Sequence, residues 1–273
     1  MKIYAELIRN YKSLGIKSLR DNKNWGFSEI GACLGVRPFI TTKGFTTIYT
    51  AYTESYVDTV LGKCWVQLNW LNQNTDGGMK RLRQKIDNIK HKRASLVDSE
   101  GIEFGRMADI EGITADHPRK IRGERVDRLL FEEAGSNPIL STSWTQGTAL
   151  VELGGARVGI KIAWGTGGDM GPALAGLAKM FEDPLSAGVL PYKNFYSDDG
   201  TAQYTGFFIP AYEFMMRPGY VDNRGVTDTK RAKAFYEEQR KLKSGERLLE
   251  YCSEYCFTPK EALLRQGENI FDS

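Results

Sequence analysis

Glu132 and Glu133 stand side by side at the end of a short apolar run, Val126 to Phe131, which is interrupted only by Asp127 and Arg128. The run is bounded by Gly123 and Gly135 and reads as a strand buried in a parallel sheet. The carboxyl end of such a strand is where an open α/β sheet places its ligand. Successive strand residues point to opposite faces, so the two glutamates are expected to do different work. In a nucleoside triphosphatase the first acid of such a pair holds Mg²⁺, directly or through water, and the second orients or deprotonates the attacking water. The alternative is that Glu-Glu opens a helix, where acids favour the positive end of the dipole. Arg122 lies eleven residues before Glu133 and next to Gly123, which frees the backbone for a tight loop. An arginine there can meet phosphoryl charge, or form a salt bridge.

Two further stretches could touch phosphate. From Arg20 to Gly31 a polar loop opens into an apparently helical segment, Ile30 to Val36, the geometry that cradles phosphate on backbone amides. Against the pattern G-x-x-x-x-G-K-[ST], Gly26 and Ser28 match, Phe27 replaces the lysine and Asp21 occupies the first glycine position. Ser28 can reach Mg²⁺, and Lys23 or Arg20 can supply a cation from the front of the loop. Farther on, Gly165-Thr166-Gly167 follows an alternating run, Ala156 to Trp164. Thr166 can sense a γ-phosphate, or the loop is a flexible turn. Sheet order is expected to set this loop beside the Glu132-Glu133 strand end.

The elements that must carry these residues alternate. Thr46 to Tyr52 reads as a strand, Val57 to Leu71 as an amphipathic helix, Ile102 to Met107 as a strand, Leu140 to Leu153 as a helix and Ala156 to Trp164 as a strand. That order predicts a doubly wound, mostly parallel α/β sheet. Residues 1 to 14 show a helical period. Lys80, Arg81, Arg83, Lys85, Lys90, Lys92 and Arg93, with Leu82, Ile86 and Ile89 at helical spacing, describe a helix with a cationic face, either solvated or against a phosphate backbone. From about Pro184 aromatic, proline-interrupted pieces replace the repeat and suit edge strands and irregular packing. Asp228 to Lys243 reads as a polar helix, and Thr258 and Pro259 as the N-cap and first position of another.

The 273 residues, 41% hydrophobic and 26% charged, suit a globular protein, and a net charge of +3 is too small to establish a nucleic-acid partner. Four scattered cysteines and two histidines argue against structural zinc and for free thiols in a reducing compartment. His117 in the Asp116-His117-Pro118 turn reads as a structural hydrogen-bonding residue. With no membrane-spanning run and no signal-peptide core at the N-terminus, a cytosolic protein is expected.

Together, Ile113 to Gly123 followed by Leu129 to Gly135, Tyr204 to Tyr212, and Phe257 to Leu263 through Gly267 to Phe271 resemble the ATPase half of the tailed-phage terminase large subunit, the motor that pumps DNA into the capsid. The resemblance implies a P-loop NTPase-like core over residues 1 to 183, with residues 1 to 22 atypical or truncated, and a small irregular C-terminal subdomain over 184 to 273. It implies ATP and Mg²⁺ as cofactors, with Glu132 in the Walker B role and Glu133 as the base for water attack. Arg122 would be offered in trans to a neighbouring subunit, and Thr166 would relay hydrolysis to movement. Trp25, Gly26, Phe27 and Ser28 fall at the Walker A loop, with Lys23 as the lysine displaced toward the front. The implied partners are double-stranded DNA, the portal protein, the small terminase subunit and further copies in a homo-oligomeric ring, in the host cytoplasm and without a membrane. The family's nuclease half would begin about where this sequence stops, so an ATPase module without its nuclease is implied. The alternative is a catalytically inactive or split-gene fragment that binds DNA or packaging partners without ATP turnover.

Overall fold

In the computed structural model the described residues are 13–15, 27–75, 86–121, 123, 125–165, 172–196, 203–215 and 217–263. The described residues pack as two units, one holding those within Phe27–Glu132 and Ser141–Ile162, the other those within Glu133–Leu140 and from Ala163 onward.

A six-stranded sheet has the order β1 (Ser13–Gly15), β8 (Ile160–Ala163), β5 (Arg128–Phe131), β2 (Thr46–Ala51), β4 (Glu103–Thr114), β3 (His91–Val97). Strand β2 runs parallel to both β4 and β5, and β3 closes the sheet antiparallel to β4. The expected mostly parallel α/β sheet is therefore present. One face of β2, carrying Thr47, Tyr49 and Ala51, is buried; α2 (Glu54–Asn74) packs on the strand, and α1 (Phe27–Thr41), which packs on α2 and β4, is tied to it through Tyr49. Tyr49 is fully buried, and its hydroxyl donates to Gly31 O at 2.7 Å while accepting from Gly35 N at 3.1 Å. It bridges a carbonyl and an amide four residues apart, groups that an undisturbed helix joins directly. Pro38 has no N–H to give Leu34 four residues back, and the Arg128 guanidinium donates to that carbonyl instead. Where α2 crosses β4 the sheet offers Gly112, because a Cβ there would stand 2.4 Å from Leu61 Cδ1 and 2.6 Å from Val57 Cγ1.

The opposite face is covered on its β5 side by α3 (Leu140–Gln146) and the 3-10 turn Gly147–Leu150. Phe131 packs on Trp144 with ring centroids 5.5 Å apart, and a Cβ on Gly147 would meet Leu129 Cδ2 at 2.5 Å. The helix expected over Leu140 to Leu153 thus ends early, and its last residues enter a short hairpin, β6 (Glu152–Leu153) with β7 (Ala156–Arg157). That hairpin also divides the strand expected over Ala156 to Trp164.

Two other expectations are corrected. Ser13–Gly15 is a strand and does not continue a helix. The basic helix fails where it is described, since Lys92 and Arg93 lie in β3 and Lys90 in the bend before it. Their charges are met inside the protein: Lys90 by Glu54 and Asp58, Lys92 by Asp87, Arg93 by Asp109 and Glu103. Lys92 also lies over the Trp65 ring, 4.8 Å from its centroid. These three are committed to carboxylates and do not present a phosphate-binding face.

In the second unit, α4 (Pro172–Glu182), the hairpin β9–β10 (Tyr192–Asn194 and Gln203–Thr205), α5 (Thr229–Lys241), α6 (Gly245–Glu254) and α7 (Pro259–Ala262) include a core of Phe181, Phe208, Met215, Ala232, Tyr236 and Cys256. Thr258 caps α7 as expected, its Oγ1 accepting from Glu261 N at 3.3 Å. Arg240 grips Glu261 through two hydrogen bonds of 2.7 and 2.8 Å and stacks on Phe257 at 3.6 Å.

Candidate functional site

Ser28 is the second residue of α1 and Glu132 the first residue after β5. The strand places Glu132 by a backbone bond, its amide donating to Thr50 O on β2 at 2.8 Å. The helix brings the hydroxyl: Ser28 Oγ donates to Glu132 Oε1 at 2.6 Å across 104 positions of sequence. Glu132 is buried and Ser28 half-buried. Hydroxyl and carboxylate oxygens are hard donors of the kind Mg²⁺ takes with water and phosphate to complete its six ligands, so the pair fits that ion. The first turn of α1 is steadied by Glu29, bonded to Lys63 at 2.5 Å and to Gln67 at 3.0 Å on α2. The Lys63 hydrogen bond, followed by burial acting the other way, leaves the Glu29 carboxyl below its usual range. Cys64 is no nucleophile: fully buried, it is pushed up to about 12, first by desolvation.

Glu133 departs from the strand rule. It takes φ 46 and ψ 49, the left-handed region, and precedes the 3-10 turn Ala134–Ser136. Its direction is therefore set by a strained turn and not by strand alternation. Within the second unit, Ala134 N donates to Trp164 O at 2.8 Å. Gly165 comes so close that a Cβ would stand 2.6 Å from Ala134 N and 2.9 Å from Glu133 C. The described start of the glycine loop thus lies against the residues that follow the acidic pair, as expected.

Of the residues singled out in the sequence, Phe27, Ser28, Glu132 and Glu133 are described; Lys23, Trp25, Gly26, Arg122 and Thr166 lie outside the described residues. Phe27 is buried at the head of α1 and is core there. His117 makes the structural hydrogen bond expected of it, Nδ1 accepting from Arg119 N at 3.2 Å. Sequence reasoning passed over Tyr49 and Arg128, which hold α1 in place. The signal for Arg128 was Pro38, since a proline inside a helix leaves the carbonyl four residues earlier in need of a donor.

No protein-family model and no curated protein matches the sequence. Solved structures do match by fold. The large-terminase ATPase domain of Thermus phage P74-26 aligns in mutant form with a TM-score of 0.59 at 14% identity, over 93% of this chain and 92% of that one. A second structure of that domain gives 0.57 at 14% identity, over 90% and 87%. The large terminase of bacteriophage HK97 gives 0.52 at 10% identity, over 95% of this chain and 48% of that one. At such identities the likeness speaks for architecture alone: this chain shares the fold of those phage large-terminase ATPase domains.

Proposed function

We propose that the chain is the ATPase module of a viral DNA-packaging terminase large subunit, hydrolysing ATP with Mg²⁺ to move double-stranded DNA into a procapsid. The observation that carries this reading is the 2.6 Å contact of Ser28 with Glu132, which joins the start of the helix after the candidate phosphate loop to the acid at the strand end. Ser28 and Glu132 would hold the metal, which when bound supplies charge to neutralise the phosphate oxygens. Glu133, next in the chain and held in a strained conformation, takes the proton of the attacking water. Lys23, Trp25 and Gly26 belong to the loop around the phosphates, with Phe27 offering only its backbone N–H from the head of α1; Arg122 serves a neighbouring subunit's nucleotide, and Thr166 follows the state of the γ-phosphate. DNA, a portal protein, a small terminase subunit and a ring of like subunits in the host cytoplasm are the partners of this reading.

The test is DNA-stimulated, Mg²⁺-dependent ATP hydrolysis by the full chain, its Glu133→Gln variant and its Ser28→Ala variant. Loss of general-base function lowers turnover by roughly 10²-fold or more, with nucleotide binding retained in Glu133→Gln and weakened Mg²⁺ dependence in Ser28→Ala. If the parent turns over no ATP and Glu133→Gln behaves identically, the enzymatic reading fails and the chain is a non-hydrolysing fragment that binds DNA or packaging partners.

A further inference from the structure

On the sheet face opposite α1 and α2, the first unit carries a partly open cavity of about 230 Å³ that the nucleotide reading does not use. The strand registers lay out its floor in rows. Arg93, Asp109 and Thr46 form the first row, and His91, Glu111 and Ile48 the second. Ile113 and Thr50 form the third. The polar end is thus on β3 and β4, while Ile121, Leu129 and Leu150 close the apolar end.

The charges on the polar end are unevenly matched. Asp109 accepts from Arg93 Nε at 2.9 Å and bonds His91 Nε2 at 2.6 Å, and Glu103 lies 3.6 Å from Arg93 Nη1. Glu111 has no ion pair or side-chain hydrogen bond among the described residues and is the charge left over. Thr50 is fully buried, lines the cavity and has a hydroxyl with no partner among the described residues. A buried hydroxyl without a partner is destabilising, so the space asks for an occupant with hydrogen-bonding capacity. Its volume exceeds the ~150 Å³ of an apolar cavity that accepts benzene.

We propose that this cavity binds a small organic cation, an amine or amidine on a compact apolar body, with the cationic group on Glu111, a hydrogen bond to Thr50 Oγ1, and the body against Ile48, Ile113 and Leu129. The site excludes anions, because Arg93 is already neutralised by Asp109 and Glu103. Binding is read without nucleotide, so it stands or falls independently of ATP hydrolysis.

The test is a titration of the full chain, ¹³C-labelled at isoleucine methyls, with benzylamine, benzyl alcohol and benzoate. Benzylamine is expected to shift the Ile48, Ile113 and Ile121 resonances saturably, at least tenfold more tightly than the other two. Glu111→Gln removes that preference and leaves benzyl alcohol binding unchanged. Thr50→Val weakens benzylamine severalfold with the methyl spectrum otherwise intact, which shows that the fold is kept. Three results overturn the proposal: no saturable shift, meaning a cavity that holds water only; benzoate binding as tightly as benzylamine; or a Glu111→Gln variant with the parent's preference.

Discussion

Lys161 lies on β8 with 2% of its surface exposed, among Trp144, Thr148 and the sheet. Its Nζ donates to Trp144 O at 2.8 Å and to Thr148 Oγ1 at 2.6 Å and stands 4.3 Å from the Trp144 ring centroid. Two acceptors match the two N–H bonds of a neutral amine, and a third proton finds only the ring face. Desolvation, reinforced by Arg157 and opposed by Glu152, brings the amine down from 10.5 to about 7. Because the folded value is the lower one, the unfolded chain binds more protons between about pH 7 and 10.5. Stability must therefore rise with pH across that window and level off above it. From pH 7 to pH 9 the gain due to this one group is about 2 kcal/mol. Replacing Lys161 by Met keeps the length and removes the titration. Urea denaturation of both proteins at pH 7, 8 and 9 provides the measurement, and other titrating groups cancel in the difference. The parent should gain on Lys161→Met by about 1 kcal/mol per pH unit. Parallel curves would refute the argument that this amine is forced neutral by burial.

Two other perturbations follow from close contacts. A Cβ on Gly35 would stand 2.4 Å from the Tyr49 hydroxyl but 3.0 Å from Cε2, so Gly35→Ala should cost less in a Tyr49→Phe background than alone. A double-mutant cycle by denaturation is expected to give about 1–2 kcal/mol of coupling, whereas additive losses would mean that the hydroxyl does not fix the spacing of α1 and β2. Arg240→Met leaves Glu261 without its two-pronged partner while Glu261 Oε2 still accepts from Phe257 N at 2.5 Å. It should destabilise the second unit by about 3 kcal/mol, seen as faster amide exchange in α5 and α7, and unchanged protection there would contradict the assignment.

What was legible in the sequence is what local pattern controls. The apolar stripe of α2, the β-branched run of β2, the Thr258-Pro259 helix start and the acidic pair ending an apolar strand all follow from side-chain spacing over a few residues. The resemblance carried by Ile113 to Gly135 led to the correct architecture.

What the tertiary structure decided is wherever a distant partner outweighs the local signal. Lys90, Lys92 and Arg93 read as one face of a helix, but β3 exists because β4 pairs with it, and Asp109 and Glu103 on that strand neutralise Arg93. Glu133 read as a strand residue, yet a left-handed turn takes over one residue past the sheet. The segment before the phosphate loop read as helical up to residue 14, and Ser13–Gly15 became a strand through its place beside β8. The sequence could offer Ser28 and Glu132 as candidates, each from its own neighbourhood. Their meeting depends on Tyr49 tying α1 to β2 and on β2 lying beside β5, a chain of contacts that no window of neighbouring residues contains.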